Sequence, residues 1–372
     1  MALTTAARDT ASYNRDWTSL DEVWDDGMED VIQNTHELFW TLWNAGRVKF
    51  VRGGEYFNQV NEAVRNTTFE AFRGTQAFTV AQNEGPPAVS WRMANYKMSL
   101  MQTWNESIAT SGDPARLDLL QHDIDVLGKS FADNLNSVVQ QGQGNGSLHI
   151  EGIEDTIYSA TTTAGTQPNT FTTRAQAQAG TYNSYAKLDR TGTDNHAKGW
   201  RNLAMDLDEN GASDSFVLTN TVFTAFRRMQ HLLTTGRTTK PDLCLMSLQP
   251  YDQFLAMQYA TGTASVIRIE KADMDLGSET ISFNGMTIVK VGGIEYSTVG
   301  VSGDVTDGTG ICYMLNTDTW ELLFEEQAFF AWTDWIHVPL ASYVVAHNLL
   351  RFLLRCTNPG LNGVIFNFGV TA

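Results

Sequence analysis

A long amphipathic helix between residues 113 and 141 constrains the fold of this 372-residue chain more than any other feature. Asp113 is a favourable N-cap residue, and Pro114 suits the first helical position. Apolar residues then recur at spacings of three and four, which places them on one helix face. They are Leu117, Leu120, Ile124, Leu127, Phe131, Leu135 and Val138. The pattern predicts a rod of about 40 Å that forms the spine of a larger domain, because its apolar face must be covered along its whole length.

The segment before this helix, from about Arg47 to Met101, has no helical stripe long enough to close a core. Glycine and proline interrupt it, as at Gly85-Pro86-Pro87. Val89, Trp91 and Met93 alternate with polar or small residues, which is the period of a β-strand. These features predict a long, two-stranded arm. An isolated hairpin is only marginally stable in water, so the arm needs another surface to lie on.

The other predicted elements make the chain a mixture of helices and strands without an internal repeat. In chain order, they begin with a helix from about Leu20 to Trp43 ended by Asn44-Ala45-Gly46, a helix from about Ser215 to Thr235, and a buried strand at 241–247. They continue with an Asn284-Gly285 hairpin, a strand pair between Tyr313 and Phe324, and an apolar, strand-forming region from about Ala328 to Phe368. The fold class is therefore predicted to be α+β.

The chain is acidic, with a net charge of −17 from 42 Asp and Glu and 25 Lys and Arg residues. The basic residues are scattered, and their tightest pair is Arg227-Arg228. Nucleic-acid binding needs clustered cations that displace counterions from phosphates, so sequence-specific binding is not expected. Two interpretations of the acidic charge remain open. It keeps the protein soluble, or it forms a wall that repels packed nucleic acid.

Three cysteines, Cys244, Cys312 and Cys356, lie in apolar runs without metal-binding spacing. They are predicted to be buried thiols of a protein made in a reducing cytoplasm. The first 20 residues lack the apolar core of a signal peptide. The most apolar late stretch, Val338–Leu354, is interrupted by polar residues and is too short to span a membrane. We therefore expect no membrane association.

The sequence motifs with a chemical meaning do not predict catalysis. Asp206–Gly211 resembles the start of an EF-hand calcium loop, but Val217 occupies the position of the required bidentate glutamate. Gly142–Gly146 follows a helix instead of a strand, so it is predicted to end that helix and not to bind phosphate. The adjacent carboxylates Glu325-Glu326 point apart and are expected to be solvated. None of the seven histidines forms a ligand pair. We expect no catalytic, cofactor-binding or metal site and no enzymatic activity.

Several local passages follow one another in a recognisable order along the chain. They are Gly144–Ile153 after the spine helix, Leu188-Asp189-Arg190 followed by Trp200, Lys240–Ser247 with Tyr251 and Phe254, Ile281–Gly285, and Tyr313–Thr317. Together with the order of helix, arm, spine helix and mixed domain, these passages resemble the major capsid proteins of tailed double-stranded DNA bacteriophages, which have the Hong Kong 97-like coat fold. The likeness covers roughly residues 20 to 350, and it depends on order and spacing more than on any one passage.

The resemblance implies an α+β chain divided into five segments. These are an N-terminal arm and helix at 1–45, an extended β-hairpin loop at 46–103, a peripheral domain with the spine helix at 104–149, an axial domain with adjoining peripheral strands at 150–335, and C-terminal strands at 336–372 that return to the peripheral domain. Lys49 and Lys97 are the lysines that the arm offers, and they lie near its base. The Lys–Asn cross-link of some family members is therefore not expected.

The resemblance also implies a function. Subunits would form hexamers and pentamers, which close an icosahedral virion shell in the host bacterial cytoplasm and enclose double-stranded DNA without sequence-specific binding. A separate scaffolding protein, a portal and a decoration protein are the expected partners. Two alternatives remain open. One is the shell protein of a nanocompartment with the same fold. The other is a secreted or cell-surface β-rich binding module, either with or without calcium.

Three residues near the arm tip are the predicted subunit contacts. Phe69, Phe72 and Arg73 place aromatic and cationic side chains in a segment that has no core of its own. Aromatic residues and arginine are enriched at protein interfaces. We therefore expect these side chains to lie against a neighbouring copy of the chain.

Overall fold

The computed structural model describes most of the chain and places it in two compact units. The described residues are 37–60, 71, 74, 88–103, 113–142, 148–157, 184–189, 200–206, 220–234, 239–248, 250–252, 254, 267–271, 279–291, 310–339 and 341–368. Unit 1 consists of the described parts of Met1–Gly54, Met93–Gly152 and Trp320–Arg355. Unit 2 consists of the described parts of Glu55–Arg92, Ile153–Thr319 and Cys356–Ala372.

Both units combine helices and strands. The α-helices of the described residues are α1 Glu37–Asn44, α2 Asp113–Gln141, α3 Ile153–Thr156 and α4 Asn220–Thr234. The first strands are β1 Val48–Val51, β2 Tyr56–Val60, β3 Ala88–Arg92, β4 Ala94–Thr103, β5 Ser184–Tyr185, β6 Leu188–Asp189, β7 Leu203–Asp206, β8 Leu243–Met246 and β9 Ile267–Lys271. The later strands are β10 Glu279–Phe283, β11 Met286–Lys290, β12 Gly310–Leu315, β13 Trp320–Glu325, β14 Ala331–Trp332, β15 Ile336–His337, β16 Tyr343–Cys356 and β17 Gly363–Phe368.

The long helix α2 confirms the predicted spine. It spans Asp113–Gln141 and packs against β4 in unit 1. The predicted apolar face is buried at Ile124, Leu127, Phe131, Leu135 and Val138. The ring of Phe131 lies 5.1 Å from that of Phe330. Gly142 has a φ of 54° directly after the helix, so the predicted helix end is also confirmed.

Helix α1 ends as its sequence predicts. The N–H of Arg47 donates to the carbonyl of Leu42, and the N–H of Gly46 donates to that of Trp43. Gly46 has a φ of 65°, which completes a Schellman motif that glycine favours. The earlier part of the predicted helix, from Leu20, lies outside the described residues. The ring of Phe39 packs edge-on against Phe352 of β16.

The sheet of unit 1 is built around β16. Its strand order is β1-β13-β16-β14, and β4 and β15 also pair with β16. The β4–β16 pairing is antiparallel and extends from Thr103 opposite Tyr343 to Ala94 opposite Phe352. Tyr96 of β4 accepts a hydrogen bond from the N–H of Ile150 at 3.0 Å. Burial raises the pKa of Tyr96 to about 12, despite that hydrogen bond to its oxygen.

The sheet of unit 2 has the strand order β7-β17-β12-β8-β11-β10-β9. All four residues of β8 are buried, as predicted for this segment. Asn284 and Gly285 join β10 to β11 with φ values of 50° and 76°, which confirms the predicted type I′ hairpin. No helix among the described residues of either unit is long and apolar enough to cross a membrane.

The core of unit 2 is rich in sulfur. Cys244 and Cys312 are fully buried, with their sulfur atoms 2.9 Å apart, and Cys356 is also a buried free thiol. Burial of all three cysteines was predicted, and it is confirmed. Desolvation, followed by the contact with Cys244, raises the pKa of Cys312 well above its ordinary value.

The predicted strand pair between Tyr313 and Phe324 is wrong. Both strands exist, but β12 lies between β8 and β17 in one sheet, whereas β13 lies between β1 and β16 in the other. Each is buried along almost its whole length, so each needs a neighbour on both edges. The 3-10 turn Thr317–Thr319 directs the chain from one strand to the other. Asp242 holds this turn by accepting the N–H of Thr317 at 2.8 Å.

Candidate subunit interface

The base of the predicted arm is a two-stranded hairpin in unit 2. Strands β2 and β3 pair antiparallel, from Tyr56 opposite Arg92 to Val60 opposite Ala88. Every second residue of a strand lies on the same face, so the exposed Tyr56 and Val60 of β2 lie on one face of the hairpin. The buried Trp91 lies on the other face. At this base, one face of the β2–β3 pair is packed within unit 2, and the other is open to solvent.

An aromatic cluster holds the packed face of the arm. The ring of Trp91 lies 6.3 Å from the rings of both Tyr185 and Trp200. Trp200 donates its indole N–H to the carbonyl of Tyr185 at 3.2 Å. The phenol oxygen of Tyr185 accepts the N–H of Cys356 at 2.8 Å. These fully buried rings anchor β3 within unit 2.

The predicted contact residues Phe69, Phe72 and Arg73 lie outside the described residues. Their role as subunit contacts stays a prediction. The loop that resembles a calcium site also lies largely outside the described residues, because only its first residue, Asp206, is described, at the end of β7.

Unit 1 exposes an apolar row across three strands of its sheet. Met101 of β4 and Ile336 of β15 both lie opposite Val345 of β16. We call these three residues the apolar stripe. Met101 is 53% exposed and Ile336 is 55% exposed, which is unusual for side chains of this size in the same row. The stripe is a candidate interface because contiguous exposed apolar surface commonly marks a binding site.

The neighbouring rows on the same sheet face are polar or mixed. Ser99 lies opposite His347, and the hydroxyl oxygen of Ser99 is 2.7 Å from His347 Nδ1. Exposed Lys97 lies opposite Leu349, which is 36% exposed. The face therefore combines an apolar stripe with a nearby positive charge.

Ion pairs stabilise the edge of the same sheet at β1. Glu321 of β13 accepts hydrogen bonds from Lys49 at 2.9 Å and from the Nε of Arg355 at 2.9 Å. Burial alone would raise the pKa of Glu321, but these two cations outweigh it and lower the pKa below its ordinary value. Arg52 pairs with Glu326, which lowers the pKa of that carboxyl.

The expectation that Glu325 and Glu326 are both solvated is half wrong. Glu326 is exposed, as expected. Glu325, however, is only 5% exposed and accepts the N–H of Gly53 at 2.7 Å. The positive guanidinium of Arg351 lies 3.7 Å away and compensates for the buried charge. Within the described parts of the chain, no group of three or more His, Cys, Asp and Glu side chains could hold a metal ion.

Comparisons with known proteins establish the fold. No protein-family model and no curated protein sequence matches the chain. Among solved structures, a chain of the cyanophage A-1(L) capsid asymmetric unit is 12% identical, with a TM-score of 0.51, and the match covers 87% of this chain and 90% of that one. The chain therefore has the α+β, Hong Kong 97-like fold of phage capsid proteins, as the sequence predicts.

Two further solved structures are similar at lower TM-scores. A chain of the satellite phage P4 procapsid with its size determination protein is 7% identical, with a TM-score of 0.40 and coverage of 93% of this chain and 100% of that one. A chain of the holo-SrpI encapsulin complex from Synechococcus elongatus PCC 7942 is 10% identical, with a TM-score of 0.46 and coverage of 89% and 88%. These scores are too low to define a fold by themselves.

The sequence pattern did not identify the apolar stripe. Met101 was placed at the end of the arm, and Ile336 at the start of the C-terminal strands. A weak signal exists in β4, where apolar Met101 lies on the same face of the strand as polar Lys97 and Ser99. An apolar residue at an outward position of a strand is the only such indication for this site.

Proposed function

We propose that this chain is the shell-forming subunit of a phage capsid. Its copies self-assemble into hexamers and pentamers, which close an icosahedral head around double-stranded DNA. The observation that carries this proposal is the shared fold with a phage capsid chain over 87% of the length of this chain. The role is structural, and no enzymatic activity is proposed. The virion is its location, after assembly in the host bacterial cytoplasm.

The exposed face of the unit 1 sheet supports self-association. The proposed occupant of the apolar stripe is a second copy of this chain. The apolar surface of the stripe favours another protein surface over nucleic acid, whose outer surface is charged phosphate. Exposed Lys97, close to the stripe, would instead attract the acidic surface of another copy. Many such contacts of modest strength add up in a closed lattice.

The segments have separate proposed roles. Within the proposed loop at 46–103, the part between β2 and β3 reaches a neighbouring subunit, with Phe69, Phe72 and Arg73 as its contacts, because β1 and β4 pair within the unit 1 sheet. Residues 104–149 form the peripheral domain, residues 150–335 the axial domain with adjoining peripheral strands, and the C-terminal strands return to the peripheral domain. A separate scaffolding protein, a portal and a decoration protein are the proposed partners. The acidic charge then serves as a wall that repels packed DNA.

Particle formation tests the proposal directly. The purified chain is concentrated stepwise, and its particles are followed by sedimentation velocity and electron microscopy, with and without extract from its source. Closed icosahedral particles that contain DNA when isolated from the source are the expected result. Free monomers under every condition contradict the proposal. Closed particles that contain a protein cargo and no DNA would instead favour the nanocompartment alternative.

A further inference from the structure

We infer that the turn between β5 and β6 is a clasp that sets the direction of the arm, and that Lys187 is its positioning residue for subunit assembly. We call the two turn residues, Ala186 and Lys187, the clasp. The inference rests on the proposed function in one respect, namely that the arm contacts a neighbouring subunit. The geometry of the clasp itself lies entirely within the described residues of unit 2.

The clasp contacts both strands of the arm at its base. The carbonyl of Ala186 accepts the N–H of Ser90 in β3 at 2.9 Å. The ammonium of Lys187 lies 3.8 Å from the centroid of the Tyr56 ring in β2, which is a cation–π contact. One turn therefore holds the two strands of the hairpin together through two different interactions. Rotation of the arm about its base would break at least one of them.

The clasp adopts a conformation that its residues do not favour. Ala186 and Lys187 have φ values of 52° and 63°, in the left-handed region that favours glycine and asparagine. The chain uses Asn284-Gly285 for the corresponding turn between β10 and β11. Side chains are thus retained in the clasp where glycine would form the same turn with less strain. Strain of this kind persists where the surroundings fix the backbone, and it is frequent at functional positions.

The surroundings of the clasp are rigid on one side and open on the other. Ala186 is fully buried beside Tyr185, whose ring stacks on Trp200 at 5.9 Å. Lys187 and Tyr56, in contrast, are both exposed. An exposed cation–π contact contributes little to the stability of a whole domain. Its effect falls on the orientation of the arm, because Tyr56 is the first residue of β2.

Substitutions of Lys187 separate orientation from folding. Lys187→Met removes the cation and keeps an apolar side chain. Lys187→Gly removes the cation and also the backbone strain, so the turn itself remains favourable. Lys187→Arg keeps a cation that stacks on an aromatic ring. Lys290→Met is the matched control, because Lys290 is an exposed strand lysine of the same unit.

Hydrogen exchange on the free subunit tests the clasp independently of assembly. In Lys187→Met and Lys187→Gly, the backbone amides of 56–60 and 88–92 are expected to exchange about two- to fivefold faster than in the wild type. This factor corresponds to the free energy of one exposed cation–π contact. The melting temperature is expected to stay unchanged or, for Lys187→Gly, to rise. Lys187→Arg and the Lys290→Met control keep the wild-type exchange rates. Wild-type exchange in Lys187→Met overturns the inference, whether or not particles form.

Particle assembly tests the positioning role. Lys187→Met and Lys187→Gly are expected to give fewer closed particles and more open or irregular ones than the wild type, and Lys187→Arg restores closed particles. Closed particles from Lys187→Met in wild-type yield overturn the inference and leave the proposed function intact. A wild-type chain that forms no particles contradicts the proposed function, and the exchange rates then still decide whether the clasp orients the arm.

Discussion

Replacing two residues of the apolar stripe should weaken assembly without unfolding the subunit. The proposed double variant is Met101→Gln and Ile336→Thr, which keeps side chains of similar size and suits a strand at both positions. Both side chains are about half exposed in the single chain, at 53% and 55%. Full burial of such a side chain is worth about 2 kcal/mol, so covering the exposed half is worth about 1 kcal/mol each.

The two substitutions together remove about 2 kcal/mol from each contact between copies, which weakens the contact about 30-fold. Because both positions are already solvated in the free subunit, its free energy of unfolding is expected to change by less than about 0.5 kcal/mol. The concentration at which particles first form should therefore rise about 30-fold or more. The unfolding midpoint in urea should remain where it is in the wild type.

The assay combines urea unfolding of the free subunit with light scattering across a concentration series. Val126→Thr is the matched control, because Val126 is 49% exposed in unit 1 but lies on α2 and outside the stripe. It should assemble at the wild-type concentration. If the double variant also assembles at that concentration, the stripe does not contact a second copy. If the double variant is unstable in urea, the exposure of the two side chains has been misjudged.

Three further predictions concern stability and reactivity. Because burial raises the pKa of Tyr96 to about 12, its neutral form favours the fold: stability is full below the unfolded pKa of 10.0 and decreases as pH rises towards 12. Urea unfolding across this pH range should show the decrease in the wild type and a smaller one in Tyr96→Phe; equal decreases would contradict the assignment. All three cysteines are buried, and burial also raises the pKa of Cys312, so none of them should react with a thiol reagent until the chain is unfolded, as thiol titration with and without urea would show. Rapid reaction in the native state would mean that the core opens. In Gly152→Ala, the new Cβ would lie 2.6 Å from the backbone nitrogen of Gly142, so the free energy of unfolding should fall by about 1–3 kcal/mol; no loss in urea unfolding would show that this contact relaxes.

Local signals in the sequence predicted several elements correctly because each depends on nearby residues. The recurring apolar residues from Ile124 to Val138 predict the helix α2. Gly46 and Asn284-Gly285 supply backbone conformations that other residues disfavour. The strand pair around Thr317–Thr319 was wrong because a tight turn between two apolar strands usually indicates a hairpin. Here each strand is buried enough to need two neighbours, and those neighbours come from distant parts of the chain.

The candidate interface was harder to predict than the fold. Met101 and Ile336 lie far apart in the sequence, and only the register of β16 brings them into one row. The alternation of β4 shows which of its residues share a face, but β16 carries apolar residues on both of its faces. The sequence therefore does not indicate which face is outward. The clasp was missed for a different reason, since Ala186-Lys187 contains no residue typical of a type I′ turn.

The position of β17 determines when unit 2 can finish folding during synthesis. Although β17 is the last of the described strands along the chain, it lies inside the unit 2 sheet, between β7 and β12. A nascent chain that has not yet passed Gly363 lacks an interior strand, and the backbone groups of β7 and β12 that pair with β17 have no strand to bond to. Unit 2 therefore completes its sheet only after this strand has left the ribosome. Incomplete translation products that lack β17 are therefore expected not to complete the fold of unit 2.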